Sequence, residues 1–137
     1  MAQTSNQKRV MIIDDNEVDL TINSKIISIT KLFDEVNICQ SGDEALAFIH
    51  NNLGTQDMLP NFILLDIQMP EMDGFEFLEQ YRKLPVTFTD QCQIAMLSST
   101  LDFGDIQKAE ANPYVVKLLK KPLKPAELQE ILTRYYR

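Results

Sequence analysis

The stretch that most constrains the fold is Asn61-Phe-Ile-Leu-Leu-Asp66-Ile-Gln-Met-Pro70-Glu-Met-Asp-Gly74, where an unbroken apolar run stops at a carboxylate and passes into a loop punctuated by proline and glycine. Such a run suits a central parallel strand covered on both faces, and in open α/β sheets ligands and chemistry sit in the crevice outside the carboxyl ends of the strands. An isolated aspartate after a strand ordinarily caps a turn. Asp66 is not isolated, because the apolar segment Arg9–Ile13 ends in the same way at Asp14-Asp15. Parallel neighbours deliver their terminal carboxylates to one edge. Three acids held close either raise a pKa or recruit a cation. With no His or Cys nearby, hard oxygen ligands select Mg²⁺, which takes only a few carboxylates and keeps waters for a phosphate-bearing partner.

The rest of the chain alternates strand with helix. Val18, Ile22, Ile26 and Ile29 recur at helical spacing through Thr30, with Asn16 as N-cap. A short strand over Val36–Cys39 precedes a helix from about Asp43 to His50, introduced by Ser41 and Glu44 in capping-box spacing. The polar loop Asn51–Pro60 leads into the Asn61–Leu65 strand, and Phe75, Leu78 and Tyr81 mark the next helix. Pro85–Gln91 reads as a polar connection to the strand Gln93–Leu97, which ends at Ser98-Ser99-Thr100. Asp102–Ala111 is a weak helix containing Gly104, Tyr114–Leu119 is the fifth strand, and Pro125 opens a final helix with Leu128, Ile131, Leu132 and Tyr135 on one face. Right-handed crossovers then give a five-stranded, doubly wound α/β fold with a parallel sheet flanked by five helices.

At 137 residues, the chain fits one domain, read as residues 8–137 behind a polar, disordered lead-in over residues 1–7 with no export signal. No apolar run approaches the roughly 20 residues of a membrane span, so a cytoplasmic protein without membrane contact is expected. The net charge of −7 works against nucleic-acid binding and leaves a protein as the expected partner. Cys39 and Cys92 lack metal-type spacing and read as core thiols, and His50, the single histidine, as a surface residue.

The acids after the first and third strands, Ser98 after the fourth and Lys121-Pro122 after the fifth meet at one sheet edge. This ordered set, including Asp66-x-x-Met-Pro-x-x-Asp-Gly74, resembles the receiver domain of two-component response regulators, of the stand-alone, chemotaxis-regulator-like type with a flavodoxin-like fold. The resemblance runs from about Lys8 to the end of the chain. It implies that Asp66 accepts a phosphoryl group from the phosphohistidine of a histidine kinase. It further implies that Mg²⁺ is held by Asp15 directly, by Asp14 through water, and by Asp66 with the backbone carbonyl of Gln68. Lys121 would pair with the acceptor carboxylate and then with a phosphoryl oxygen, and Ser98 would be the switch hydroxyl beside Ser99. Such a domain is not an enzyme in the ordinary sense, since it catalyses only its own phosphorylation and dephosphorylation. Its output would be binding to a downstream protein target, or onward transfer to a phosphotransfer protein, through the face formed by the weak helix, the fifth strand and the last helix. The strand 1–helix 1 side would meet the kinase.

One residue departs from the pattern. The position three before the conserved lysine is usually aromatic and here is Leu118, which reads instead as part of an apolar docking patch with Leu119 and Leu123. Gln68 and Thr100 flank the route of attacking water and are expected to tune dephosphorylation. An Asp-nucleophile hydrolase is the competing reading, but such enzymes carry Asp-x-Asp after the first strand, whereas Asp14 and Asp15 are adjacent. A flavin-binding protein lacks support because no Ser/Thr/Gly-rich phosphate loop follows that strand.

Overall fold

The structure, a computed structural model, describes residues 7–135, the side chain of Tyr135 excepted. The lead-in therefore lies outside the described residues apart from Gln7, whose carbonyl accepts a hydrogen bond from Asn61 Nδ2 at 2.9 Å. Five strands, β1 (Arg9–Ile13), β2 (Glu35–Cys39), β3 (Phe62–Asp66), β4 (Gln93–Ser98) and β5 (Val115–Lys120), form one parallel sheet in the order β2-β1-β3-β4-β5. The helices are α1 (Glu17–Thr30), α2 (Gly42–Asn51), α3 (Gly74–Tyr81), α4 (Val86–Thr89), α5 (Phe103–Ala111) and α6 (Pro125–Tyr135). The doubly wound α/β architecture is as expected, with one short helix more than the five foreseen.

Side-chain alternation along β1 and β3 divides the core between the two faces of the sheet. Met11, Ile13, Ile63 and Leu65 pack on one face with Ile49 of α2, Phe77 and Tyr81 of α3, and Ala109 of α5. Val10, Ile12, Phe62 and Leu64 pack on the other with Ile27 of α1 and Leu128 and Ile131 of α6. Both strands are buried throughout, which is why they read as unbroken apolar runs. The strand order reverses between β1 and β3, so the loops after them part and open a crevice at their carboxyl ends.

Three local readings are corrected. Of the periodic stripe Val18, Ile22, Ile26 and Ile29, Ile26 is half-buried against the core and the other three point to solvent, while α1 buries Leu20, Asn23 and Ile27. The connection 85–91 contains α4, which turns Phe88 and Thr89 into the interior against α3, with the Phe88 ring 5.9 Å from that of Tyr81. Leu119 and Leu123 are buried in the α1–α6 side of the core and cannot form a docking patch, whereas Leu118 faces the other way and is half-buried. Adjacent strand residues point to opposite faces, so Leu118 and Leu119 cannot share one.

The predicted caps are in place. Asn16 accepts from the Asp19 amide at 2.9 Å and Ser41 from that of Glu44 at 3.0 Å, although Glu44 returns its carboxylate to the Gln40 amide, so the box is offset by one residue. Cys39 and Cys92 are both free and buried, and His50 is exposed.

Candidate functional site

Ile13 lies opposite Leu65 in the β1–β3 ladder, so the next residue of each strand, Asp14 and Asp66, arrives at the same level of the crevice. Asp14 is held there by its own amide, which donates to the Cys39 carbonyl at 3.1 Å, and by the Asn16 amide, which donates to Asp14 Oδ1 at 3.0 Å. Asp14 and Asp66 are buried and Asp15 is exposed at the mouth, yet one carboxylate oxygen from each lies within 4.8 Å of the others. A set of hard oxygen donors at that spacing fits a small divalent cation.

The opposing charge comes from Lys121. Its amide donates to the Ser98 carbonyl at 2.8 Å, which ties the end of β5 to the end of β4 and sends the side chain across the crevice. There Nζ lies 2.9 Å from Asp14 Oδ2, 2.8 Å from Asp19 Oδ2 and 3.1 Å from Asp66 Oδ1. Burial opposes the lysine's charge, but the hydrogen bonds it donates to Asp19 and Asp14 and the charges of Asp66 and Asp14 outweigh it, so the ammonium is held above its ordinary range. For Asp66 the balance goes the other way. Burial, and then the charge of Asp14, push its carboxyl up to about 6 despite the lowering effect of Lys121. Lys121 therefore does not offset the burial of Asp66 together with the charge of Asp14 beside it.

Among known proteins, a family model described as the response regulator receiver domain matches residues 10–133. The chain belongs to this family. In structure, this receiver is similar to a response regulator receiver protein from Dyadobacter fermentans, with a TM-score of 0.82, 37% identity, and 94% of this chain and 98% of that one covered. It is also similar to a two-component response regulator from Cytophaga hutchinsonii, with a TM-score of 0.87, 27% identity, and coverage of 95% and 97%. In sequence it is 32% identical over 128 residues to hybrid signal transduction histidine kinase L of Dictyostelium discoideum, covering 93% of this chain. The receiver spans 7% of that kinase's length and 51% of the transcriptional regulatory protein AfsQ1 of Streptomyces coelicolor, to which it is 27% identical.

The remaining residues singled out from the sequence sit around the same crevice. Ser98, at the end of β4, is buried; its hydroxyl donates to the Thr100 carbonyl and accepts from the Thr100 amide at 3.2 Å. Gln68 is exposed at the rim, with Nε2 and Oε1 each 3.4 Å from the hydroxyls of Thr100 and Ser99 respectively. The receiver's crevice thus holds two buried carboxylates, Asp14 and Asp66, a third, Asp15, at its mouth, a lysine, and a hydroxyl that bonds its own loop.

Sequence reasoning missed two features. Asp19 contributes one of the three lysine contacts, but in the sequence it is one more acidic residue in the first turn of a capped helix, where carboxylates are common for helix-dipole reasons. Gly74 reads as turn chemistry, yet its placement is a matter of close approach: a Cβ there would lie 2.7 Å from the Asp66 carbonyl oxygen and 3.0 Å from Ile67 Cα. The Gly74 amide donates to the Ile67 carbonyl at 2.8 Å, and this bond seats the start of α3 directly against the end of β3.

Proposed function

We propose that residues 8–137 form one receiver unit that takes a phosphoryl group onto Asp66 from the phosphohistidine of a histidine kinase and passes the signal on by protein contact. The observation that carries this reading is the meeting of Asp14, Asp15 and Asp66 around the ammonium of Lys121. In this reading, Asp15, Asp66 and the backbone carbonyl of Gln68 hold Mg²⁺ directly and Asp14 holds it through water. The ion, when bound, neutralises negative charge on the transferring phosphoryl oxygens. Asp66 presents its carboxylate oxygen to the phosphorus in line with the departing imidazole, and the P–N bond breaks as the new P–O bond forms. Lys121 keeps its proton and exchanges an aspartate contact for a phosphoryl oxygen.

The aspartyl phosphate adds roughly −1.5 to −2 charges and three acceptor oxygens beside Ser98. Ser98 then leaves the Thr100 carbonyl to donate to a phosphoryl oxygen, drawing the loop between β4 and α5 inward. The α5–β5–α6 face carries this change to a downstream target or a phosphotransfer protein. Leu118 lacks a ring to couple to that motion. Gln68 and Thr100, paired across the rim, restrict the line of attack of water and set the rate at which the acyl phosphate is lost.

The kinase meets the β1–α1 side, where Val18 and Ile22 stand exposed next to the acids. No helix among the described residues is long and apolar enough to cross a membrane.

The decisive experiment is intact-mass measurement after incubation with a small-molecule phosphodonor and Mg²⁺. One phosphoryl adduct per chain, labile to base and to hydroxylamine, is expected in the wild type and none in Asp66→Asn. An equal adduct in both would move the acceptor to another residue.

A further inference from the structure

The two edges of the sheet are protected very differently. An open strand edge invites another strand, and proteins commonly block it with outward lysines, prolines or bulges. The β5 edge has such protection: Lys117 and Lys120 are exposed along it, and its ladder with β4 carries a register shift at Ile94/Ala95. The β2 edge has only the charge of Glu35 at its start. Its sequence, Glu-Val-Asn-Ile-Cys, contains no lysine, proline or glycine, and its five-residue ladder with β1 is regular. Val36 and Ile38 are 40% and 44% exposed on it.

The backbone at this edge is also poised for pairing. Glu35 donates its amide to the Lys8 carbonyl at 3.3 Å, and the Cys39 carbonyl accepts from the Asp14 amide at 3.1 Å, so both residues address the β1 side. Alternation along the strand turns the N–H and C=O of Val36 and Ile38 outward. The strand order places β2 at the end of the sheet, with no further strand beside it among the described residues.

We infer that β2 pairs antiparallel with β2 of a second copy of this chain, about a twofold axis at Asn37. In that register, Val36 lies opposite Ile38 of the second copy and Ile38 opposite Val36 of the second copy. Both outward N–H groups and both outward C=O groups of each chain are then satisfied in four hydrogen bonds. The apolar side chains pair across the junction, Asn37 meets its symmetry mate, and Glu35 meets Cys39, so no like charges face each other. A slip by one residue would set Glu35 against Ile38 and Val36 against Asn37, bringing outward-facing backbone opposite backbone that addresses β1, so the near-palindromic Val-Asn-Ile centre suits a second copy in this one register. Val36 and Ile38 share the sheet face of Val10 and Ile12, and a twofold axis normal to the sheet brings α1 of each copy to that same face. The result is a continuous ten-stranded sheet. The phosphorylation crevice takes no part in it.

A five-residue edge buries less than a standard interface, so self-association should be weak, with half-dimerisation in roughly the 10–1000 µM range. Sedimentation equilibrium across that range should show the mass rising from 15.7 kDa towards twice that value, with amide-exchange protection at Val36 and Ile38 growing with concentration. Val36→Lys and Ile38→Lys should each weaken dimerisation at least roughly ten-fold by placing charge in the seam. Val86→Lys, on exposed α4, should leave it unchanged. A single 15.7 kDa species at every concentration would overturn the inference, leaving the edge to a strand of another protein or to none. A dimer surviving both β2 substitutions would overturn it equally.

Discussion

Burial and the charge of Asp14 hold the Asp66 carboxyl at about 6 in the metal-free protein, against an ordinary 3.8. The folded chain therefore binds this proton more tightly than the unfolded chain does. A raised carboxyl contributes stability that is fully present below about pH 4 and is lost as the pH rises through about 6. Asp66→Asn removes that dependence while leaving Lys121 its contacts with Asp14 and Asp19. Between about pH 4 and 7 the unfolding free energy of the variant should gain on that of the wild type by about 1 kcal/mol or more. Parallel urea titrations would check the difference, and carboxyl NMR would place the midpoint directly. At the same scale, Asp14 and Asp66 were legible because each ends an apolar run. Asp19 was not, because its partner Lys121 lies 102 positions away.

At Gly74 the start of α3 lies directly against the end of β3. Two of the atoms that a Cβ at Gly74 would meet, the Asp66 carbonyl oxygen and Ile67 Cα, are backbone and cannot rotate away. Gly74→Ala should therefore cost about 1–3 kcal/mol in urea unfolding and slow adduct formation at Asp66, because relief requires moving the end of β3. Unchanged adduct kinetics would mean that α3 yields instead. Elements also differ in what their periodicity reveals. In α1, spacing announces a helix, but apolar residues occupy both of its faces, and only packing against the sheet selects Leu20 and Ile27 over Val18, Ile22 and Ile29. In α4, a single turn is too short to show a period, and Phe88 is drawn inward against the Tyr81 ring of α3.

Across the whole molecule, the crevice has a surplus of negative charge that folding creates and a cation can relieve. Mg²⁺ at ten times its dissociation constant should stabilise the fold by about 1.4 kcal/mol. This corresponds to roughly 5 °C in melting temperature for a chain of this size. Identical melting with and without saturating Mg²⁺ would remove the metal site from the proposal. The sequence by itself determined the parallel sheet, its order of strand and helix, and the strand-end positions of Asp14, Asp15, Asp66, Ser98 and Lys121, because buried strands need continuous apolar runs and those runs have visible ends. Only the tertiary structure decided which face of α1 is covered, that Leu119 and Leu123 are core, that Asp19 joins the lysine, and that one sheet edge is guarded and the other open. These depend on contacts between segments far apart in the chain, whose distances no local pattern encodes.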